Sequence, residues 1–398
     1  MSTHAVVHTP VGGPILTRPF RWLLLVAGIG VAFALWRFTA GIGAVSNLTD
    51  GYPWGVWIAF DVVVGTALGC GGYAVALLVY ILNKGEYHPL VRPAVLTSLL
   101  GYGLAVIAVS IDLGRYWDLW RIPVTYWRWS HSPQLEVALC VALYNLVLLV
   151  ELSPALWEKW RDGTHAGRRE FAVKALRFVD KGGVWIIALG LLLPTMHQST
   201  LGTMMLLPGP RLHPLWFTPW LPFLFLVSCL VMGYGVVACE SAFSAKAFGR
   251  PRETAMLARL GKVAMWVALF WAVFRLGEVA IAGELGLVAS PIGAFFVAEV
   301  ATHLAAAFLL MSEARRSDPV IQVRAGILLI LGGAGYRINT YLVAFNPGNH
   351  WRYFPALPEL AITFGIVAAE LALYIWAVKT FPILAGRSVK NAAARATR

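Results

Sequence analysis

The sequence predicts an all-α integral membrane protein of ten transmembrane helices, with two four-helix bundles (helices 2–5 and 6–9) flanked by helices 1 and 10. Three observations predict it. Of 398 residues, 59% are hydrophobic and 13% charged, against about 25% charged in an ordinary soluble domain. Ten runs approach or exceed the length of about 20 apolar residues that a bilayer requires. Lys and Arg fall almost entirely on one of the two alternating sets of loops. With a mean hydropathy of +0.69, this composition excludes a soluble enzyme, a disordered chain and a nucleic-acid binder, despite the net charge of +12.

The runs follow in chain order. Phe20–Thr39 is too long for a cleaved signal peptide, holds Arg37 and lacks a small-residue cleavage site. Trp54–Leu82 carries Asp61, about two turns inside its start. Pro93–Leu113 ends on Asp112, with Arg115 just beyond. Pro133–Leu152 has Glu136 in its first turn and Glu151 at its end. Gly183–His197 is the shortest and closes on His197 and Gln198. Pro219–Ala245 bears Glu240. Leu260–Ala282 bears Arg275 and Glu278, and Pro291–Ser312 bears Glu299 and His303 at i, i+4. Val320–Phe345 contains the glycine-rich run Leu331–Gly335, then Arg337 and Asn339; Leu357–Phe381 has Glu370 at mid-span. Runs this long and continuously apolar are helices, because barrel strands are shorter and alternate.

Of the 32 Lys and Arg residues, 24 lie on one side, five on the other (Arg115, Arg121, Arg128, Arg211, Arg352) and three within runs. That bias places both termini in the cytoplasm of a bacterial inner membrane. It divides the chain into a cytoplasmic tail (1–17), a membrane domain (18–384) and a basic cytoplasmic tail (385–398). It also explains the basic charge without nucleic acid. The opposite loops, Ser46–Pro53, Tyr116–Pro133 and Ser199–Trp220, are rich in Trp, Tyr, Pro and Gly. They read as an aromatic belt against membrane lipids, as a docking platform for an extramembrane partner, or as both.

Cys70, Cys140, Cys229 and Cys239 form no C-x-x-C pair, so the chain offers neither a zinc site nor an iron–sulfur ligand set. Only His197 and His303 lie in or at the spans, at different depths, which argues against an intrinsic b-type haem. Ionisable groups inside spans mark sites or pathways. Asp61, Asp112, Arg115, Glu136, His197 and Gln198 fall near one level of the first bundle, toward the periplasmic side. A quinone needs this mixture of apolar walls with proton donors at its carbonyl oxygens. Plainer readings stand beside it: Asp112 and Arg115 as an i, i+3 ion pair, Glu136 as a helix-start charge, His197 as an interfacial side chain. Glu151, Glu240, Arg275, Glu278, Glu299, His303, Arg337 and Glu370 suggest a proton path, and pairing of Arg275 with Glu278 is the structural alternative.

The run Gly51–Tyr73, beginning Gly-Tyr-Pro-Trp-Gly-Val-Trp, resembles the start of the NrfD family core. Met196–Leu207, Leu212–Pro219 and Cys239–Arg250 resemble its HybB branch, the membrane subunits of nickel–iron hydrogenases. The resemblance spans roughly Arg18 to Phe381. It implies a quinone bound near the periplasmic face and no haem or iron–sulfur cluster in this chain. It also implies a periplasmic iron–sulfur partner fed by hydrogenase large and small subunits, with proton movement in some members. The positions it marks are Asp61 and His197, with Trp54 and Trp57 as further quinone contacts. Two rivals remain at this stage. One is another NrfD-type complex, acting on sulfur compounds or through molybdenum. The other is a secondary transporter, which the glycine-rich run would suit but the same-sense bundles do not.

Overall fold

The computed structural model describes residues 8–52, 54–348 and 350–385. The outer parts of both predicted tails, 1–7 and 386–398, lie outside the described residues. Every predicted run falls on a helix. The helices are α1 (Arg18–Ala40), α2 (Trp57–Ile81), α3 (His88–Asp112), α4 (Pro133–Arg161) and α5 (Ala166–Met204), then α6 (Leu221–Ala247), α7 (Thr254–Ile281), α8 (Gly293–Leu309), α9 (Pro319–Val343) and α10 (Leu357–Thr380). Eight of these are long and apolar enough to cross a membrane, and α8 is a shorter apolar helix. The protein is an all-helical, multi-span membrane protein.

The largest departure from the sequence expectation is α5. The fifth run was expected as Gly183–His197 after a cationic loop, but it is the second half of a single 39-residue helix. The first half is rich in Ala, Arg and Lys, which are strong helix formers. Its charges pair along the surface, as in the i, i+4 bridge of Glu170 to Lys174 at 2.7 Å.

Helices α2–α5 pack on one another, as do α6–α9, and α1 pairs with α10. The bundles meet where α2 lies against α6 and α9, and where α5 lies against α6. Burial follows from this order. In its most apolar stretch, 83% of α2 is buried, against 11% of α1, so α2 is the central helix and α1 faces lipid. Both α2 and α9 depart from regular α-helix, with i→i+5 bonds such as Leu82 N–H to Leu77 O at 3.0 Å and Ala344 N–H to Asn339 O at 2.7 Å. Such wide turns re-aim side chains and recur at functional sites.

Two of the three glycines of Leu331–Gly335 have packing reasons. A Cβ on Gly332 would lie 2.7 Å from the His303 ring, and one on Gly333 would lie 2.3 Å from the Met232 side chain. The run lets α8 and α6 approach α9. The helix remains unbroken there, so the feature that kept a transporter reading in view is a packing device.

Candidate functional site

The buried polar residues gather in three places. The first is the seam between the bundles. His197 Nδ1–H donates to the Leu193 carbonyl at 2.7 Å, which fixes Nε2 as the acceptor for the Tyr102 hydroxyl, also at 2.7 Å. Gln198 Nε2 donates to Thr66 Oγ1 at 3.1 Å and to Tyr102 Oη at 3.2 Å. The Gln198 carbonyl accepts from Arg337 Nη2 at 2.8 Å. Arg337 spends its remaining donors on the carbonyls of Val63 and Phe225, at 2.8 and 2.7 Å, and on Ser228 Oγ at 3.2 Å. His197, Gln198 and Arg337 are all 0% exposed. Every acceptor around Arg337 is neutral, and no carboxylate pairs with it among the described residues. A full positive charge is thus held in the membrane interior by oriented dipoles alone, a costly arrangement that suits a site for developing negative charge.

The second place is the flank where α1 and α10 meet α2 and α3. Asp61 accepts from Thr363 Oγ1–H of α10 at 2.7 Å. Trp57 Nε1 donates to the Glu359 carbonyl at 3.3 Å, and Trp54 Nε1 to the Tyr341 carbonyl at 2.8 Å. The Glu359 carboxylate closes the neighbouring loops, accepting from Tyr353 Oη and Ala356 N–H at 2.7 Å and from Asn47 N–H at 3.0 Å. The buried Arg37 guanidinium donates from Nε to the Ile111 carbonyl at 2.5 Å and from Nη2 to that of Leu113, tying α1 to the end of α3 beside Asp112. Arg115 is exposed, and Asp112 Oδ1 is buried without a partner among the described residues, so the plainer alternative, an Asp112–Arg115 ion pair, does not form. Glu136 accepts from Thr200 Oγ1–H at 2.8 Å, joining the start of α4 to the end of α5.

The third place is inside the second bundle. Arg275 pairs with Glu278, donates to the Leu215 carbonyl at 2.5 Å, and lies 3.5 Å from Glu299. Glu299 also accepts from Asn339 Nδ2 at 2.9 Å and Trp216 Nε1 at 3.2 Å. His303 stacks on Trp271 at 4.0 Å between ring centroids. Farther along, Glu240 accepts from the Tyr374 hydroxyl. Glu151 approaches the backbone at Gly190, where a Cβ would lie 3.9 Å from its carboxylate, and Glu370 is half-buried on α10.

The structure therefore regroups the expected residues. Arg337 was assigned to the second bundle, yet it binds His197's neighbour Gln198 and so belongs to the first cluster. Asp61 and His197 were expected at one site, yet they face different neighbours: Asp61 turns to α10, while Thr66, further along α2, turns to α5. Glu136 bonds to Thr200 and Asp112 lies by Arg37 at the end of α3, and neither is hydrogen-bonded to Asp61 or His197. Sequence reading missed Tyr102, Thr66, Ser228, Glu359 and Thr363. A tyrosine or serine in an apolar run carries no marked signal, although Glu359 in the first turn of α10 was visible as an acidic helix start.

Comparisons with known proteins identify the family of the chain. The polysulphide reductase, NrfD family model matches residues 44–343. The chain is 37% identical over 382 residues, covering 94% of each chain, to a probable Ni/Fe-hydrogenase 2 b-type cytochrome subunit of Escherichia coli (strain K12). It is 28% identical over 403 residues, 92% of each chain, to the integral membrane subunit of a menaquinone reductase of Nitratidesulfovibrio vulgaris. A selenate reductase subunit of Mesobacillus selenatarsenatis matches at 25% over 229 residues, 54% of this chain and 53% of that one. By the family match and the near full-length hydrogenase-subunit relative, this chain belongs to the NrfD family.

Proposed function

We propose that the protein is the quinone-reactive membrane subunit of a respiratory oxidoreductase, in the first instance a periplasm-facing nickel–iron hydrogenase. Electrons reach it from an iron–sulfur partner subunit and pass to a membrane quinone, menaquinone or ubiquinone. It resides in the inner membrane with both termini in the cytoplasm, in keeping with the Lys and Arg bias. The hydrogenase-subunit relative, similar over 94% of both chains, favours this partner over the sulfur, selenium or molybdenum enzymes of the wider family.

The single observation that carries the quinone reading is Arg337, a buried cation without a counter-charge, linked through Gln198 to Tyr102 and His197. Two-electron reduction places negative charge on the quinone oxygens before protons arrive. A preorganised cation stabilises that charge without reorganising at the moment of transfer. The Tyr102–His197 hydrogen bond offers one proton, and Asp61, on the other side of α2, is the acid for the second. The remaining ionisable residues, from Glu299 and Arg275 in the second bundle to Glu370, Glu240 and Glu151, supply a proton path across the membrane.

The residues present do not fit an axial haem pair, whatever the relative's cytochrome name. Both nitrogens of His197 are engaged in hydrogen bonds, and His303 sits in the other bundle with its ring stacked on Trp271. Arg337→Gln in the assembled complex tests the reading. It keeps the bond to Gln198 feasible and removes the charge. Quinone reduction is expected to fall by about 10²-fold, as for loss of one preorganised electrostatic group, with reduction of a soluble artificial acceptor unchanged. Full quinone activity would overturn it.

A further inference from the structure

Eight buried side-chain polar atoms lack a hydrogen-bond partner among the described residues, and five of them face one another in the second bundle. They are Trp271 Nε1 and Arg275 Nε on α7, Glu299 Oε1 and His303 Nε2 on α8, and Tyr336 Oη on α9. Trp271 and Arg275 share a face at i, i+4, as do Glu299 and His303. The Tyr336 ring lies 5.0 Å from that of Trp271, and the Arg275 guanidinium is 5.6 Å above it. All five residues are 3% exposed or less.

Buried polar atoms in a native interior almost always have partners, protein or ordered water. Two of these atoms, Arg275 Nε and Glu299 Oε1, lie 3.5 Å apart as an ion pair, and the remaining three, Trp271 Nε1, His303 Nε2 and Tyr336 Oη, suit a small amphoteric ligand. Trp271 Nε1–H and Arg275 Nε–H only donate, Glu299 Oε1 only accepts, and the Tyr336 hydroxyl does either. His303 Nδ1–H is committed to the Glu299 carbonyl at 2.7 Å, which leaves Nε2 as an acceptor. That same bond prevents His303 from reaching the Glu299 carboxyl directly, although they share a helix face. Water donates and accepts at once, and with about two to four hydrogen bonds for each molecule a small cluster of waters serves the set.

We propose that the second bundle encloses a hydrated chamber, in which ordered water bridges Glu299 and His303 and contacts Trp271 and Tyr336. The inference rests on the proton-path reading above for its function and on the unmet hydrogen bonds for its existence. In the chamber the Glu299 carboxylate takes up a proton at Oε1 and passes it to water, returning to a carboxylate beside Arg275. The water releases a proton to His303 Nε2. No oxidant or reductant takes part. On the aromatic-loop side the chamber is approached through Glu278, the outer partner of Arg275. Glu278 lines a cavity of about 440 Å³ together with Thr218, Trp220 and Phe274.

Two measurements on the assembled complex test this. A map that resolves water should show ordered density about 3 Å from both His303 Nε2 and Trp271 Nε1. A side chain or bare packing against those atoms overturns the chamber. Tyr336→Phe keeps the ring and removes one hydroxyl. In reconstituted vesicles it should lower protons translocated per quinone reduced by about tenfold, less than the roughly 10²-fold of a lost proton-transfer group because Tyr336 only holds the water, with quinone turnover retained. An unchanged ratio with water density present overturns the proton path and leaves the chamber standing. Absent density overturns the chamber whatever the ratio, so the two failures are distinguishable.

Discussion

Asp61 sits where a carboxyl is expensive, 6% exposed on the central helix, with one hydroxyl donor from Thr363 and no cation bonded to it. Its depth was legible in the sequence, because an acidic residue two turns inside an apolar run stands out. The side of α2 it serves was not legible. The first turns of α2 are wide, so the usual helical projection misplaces them, and the partner lies 302 residues away on α10. Arg337 makes the same point: its run was right, but which bundle it reached into depended on α9 crossing α2. If Asp61 is the second proton donor, Asp61→Asn keeps the volume and the Thr363 contact and removes the acid. Quinone reduction should drop by about 10²-fold, while electron delivery to a soluble acceptor is retained. Thr363→Val should then have a smaller effect, since it leaves the carboxyl in place. Equal losses in both variants would mark Asp61 as a positioning residue for α10.

Helix α1 has little to hold it except α10 and the end of α3. The contact with α10 is a glycine pair: a Cβ on Gly30 would lie 2.7 Å from Gly365 Cα, which is backbone and cannot yield. Small residues of this kind let helices in lipid gain dispersion and weak hydrogen bonds where no hydrophobic drive separates them from the solvent. Gly30→Val should therefore part α1 from α10 at a cost of about 1–3 kcal/mol, read as a lower melting temperature of the purified complex. Gly28→Val, with nothing within 4 Å, is the control and should leave it unchanged. At the opposite end of α10 the N-terminal segment is clipped down. Thr9 N–H donates to Leu384 O at 3.2 Å, Val11 N–H to Val378 O at 3.0 Å, and Gly12 N–H to Lys379 O at 3.2 Å. His8 is part of this clip. Burial, with Arg92, Arg250 and His88 nearby and only Glu158 opposing them, pushes its imidazole down to about 4. A group whose folded value is depressed favours the closed clip above its ordinary value of about 6.5 and loses that contribution as pH falls toward the folded value. Protease or hydrogen-exchange protection of residues 8–12 should accordingly decline between about pH 6.5 and pH 4. His8→Gln should flatten the profile; an unaltered profile would assign the release to another group.

Across the whole molecule, the apolar runs and the aromatic and basic loops were legible because the bilayer as solvent imposes them on sequence directly. The first half of α5 was hidden because a helix that leaves the bilayer no longer needs to be apolar, and charge then reads as loop. The association of the bundles was hidden because residues such as Tyr102, Ser228 and Thr66 reveal their partners only in space. The two faces that result are different surfaces. On one, Trp117, Trp120 and Trp127 are each at least 60% exposed beside Arg121 and Arg128, with Asp118 bridging Arg121 at 3.2 Å. The other carries the basic hairpin of α4 and α5, with Arg168 and Arg169 in the first turn of α5. Exposed Trp with Arg is the composition of interface anchors, whereas scattered Lys and Arg serve orientation. If electrons arrive from an iron–sulfur subunit seated on the aromatic face, a charge reversal there should weaken assembly. Arg128→Glu should reduce co-purification of that subunit by about tenfold, the effect of losing roughly 1.4 kcal/mol at an interface. Arg168→Glu with Arg169→Glu should leave co-purification intact, because those side chains lie at the opposite end of α4 from the aromatic loop. Cross-links from the partner to the α4–α5 hairpin instead of the aromatic loops would invert the orientation and, with it, the side on which the quinone site opens.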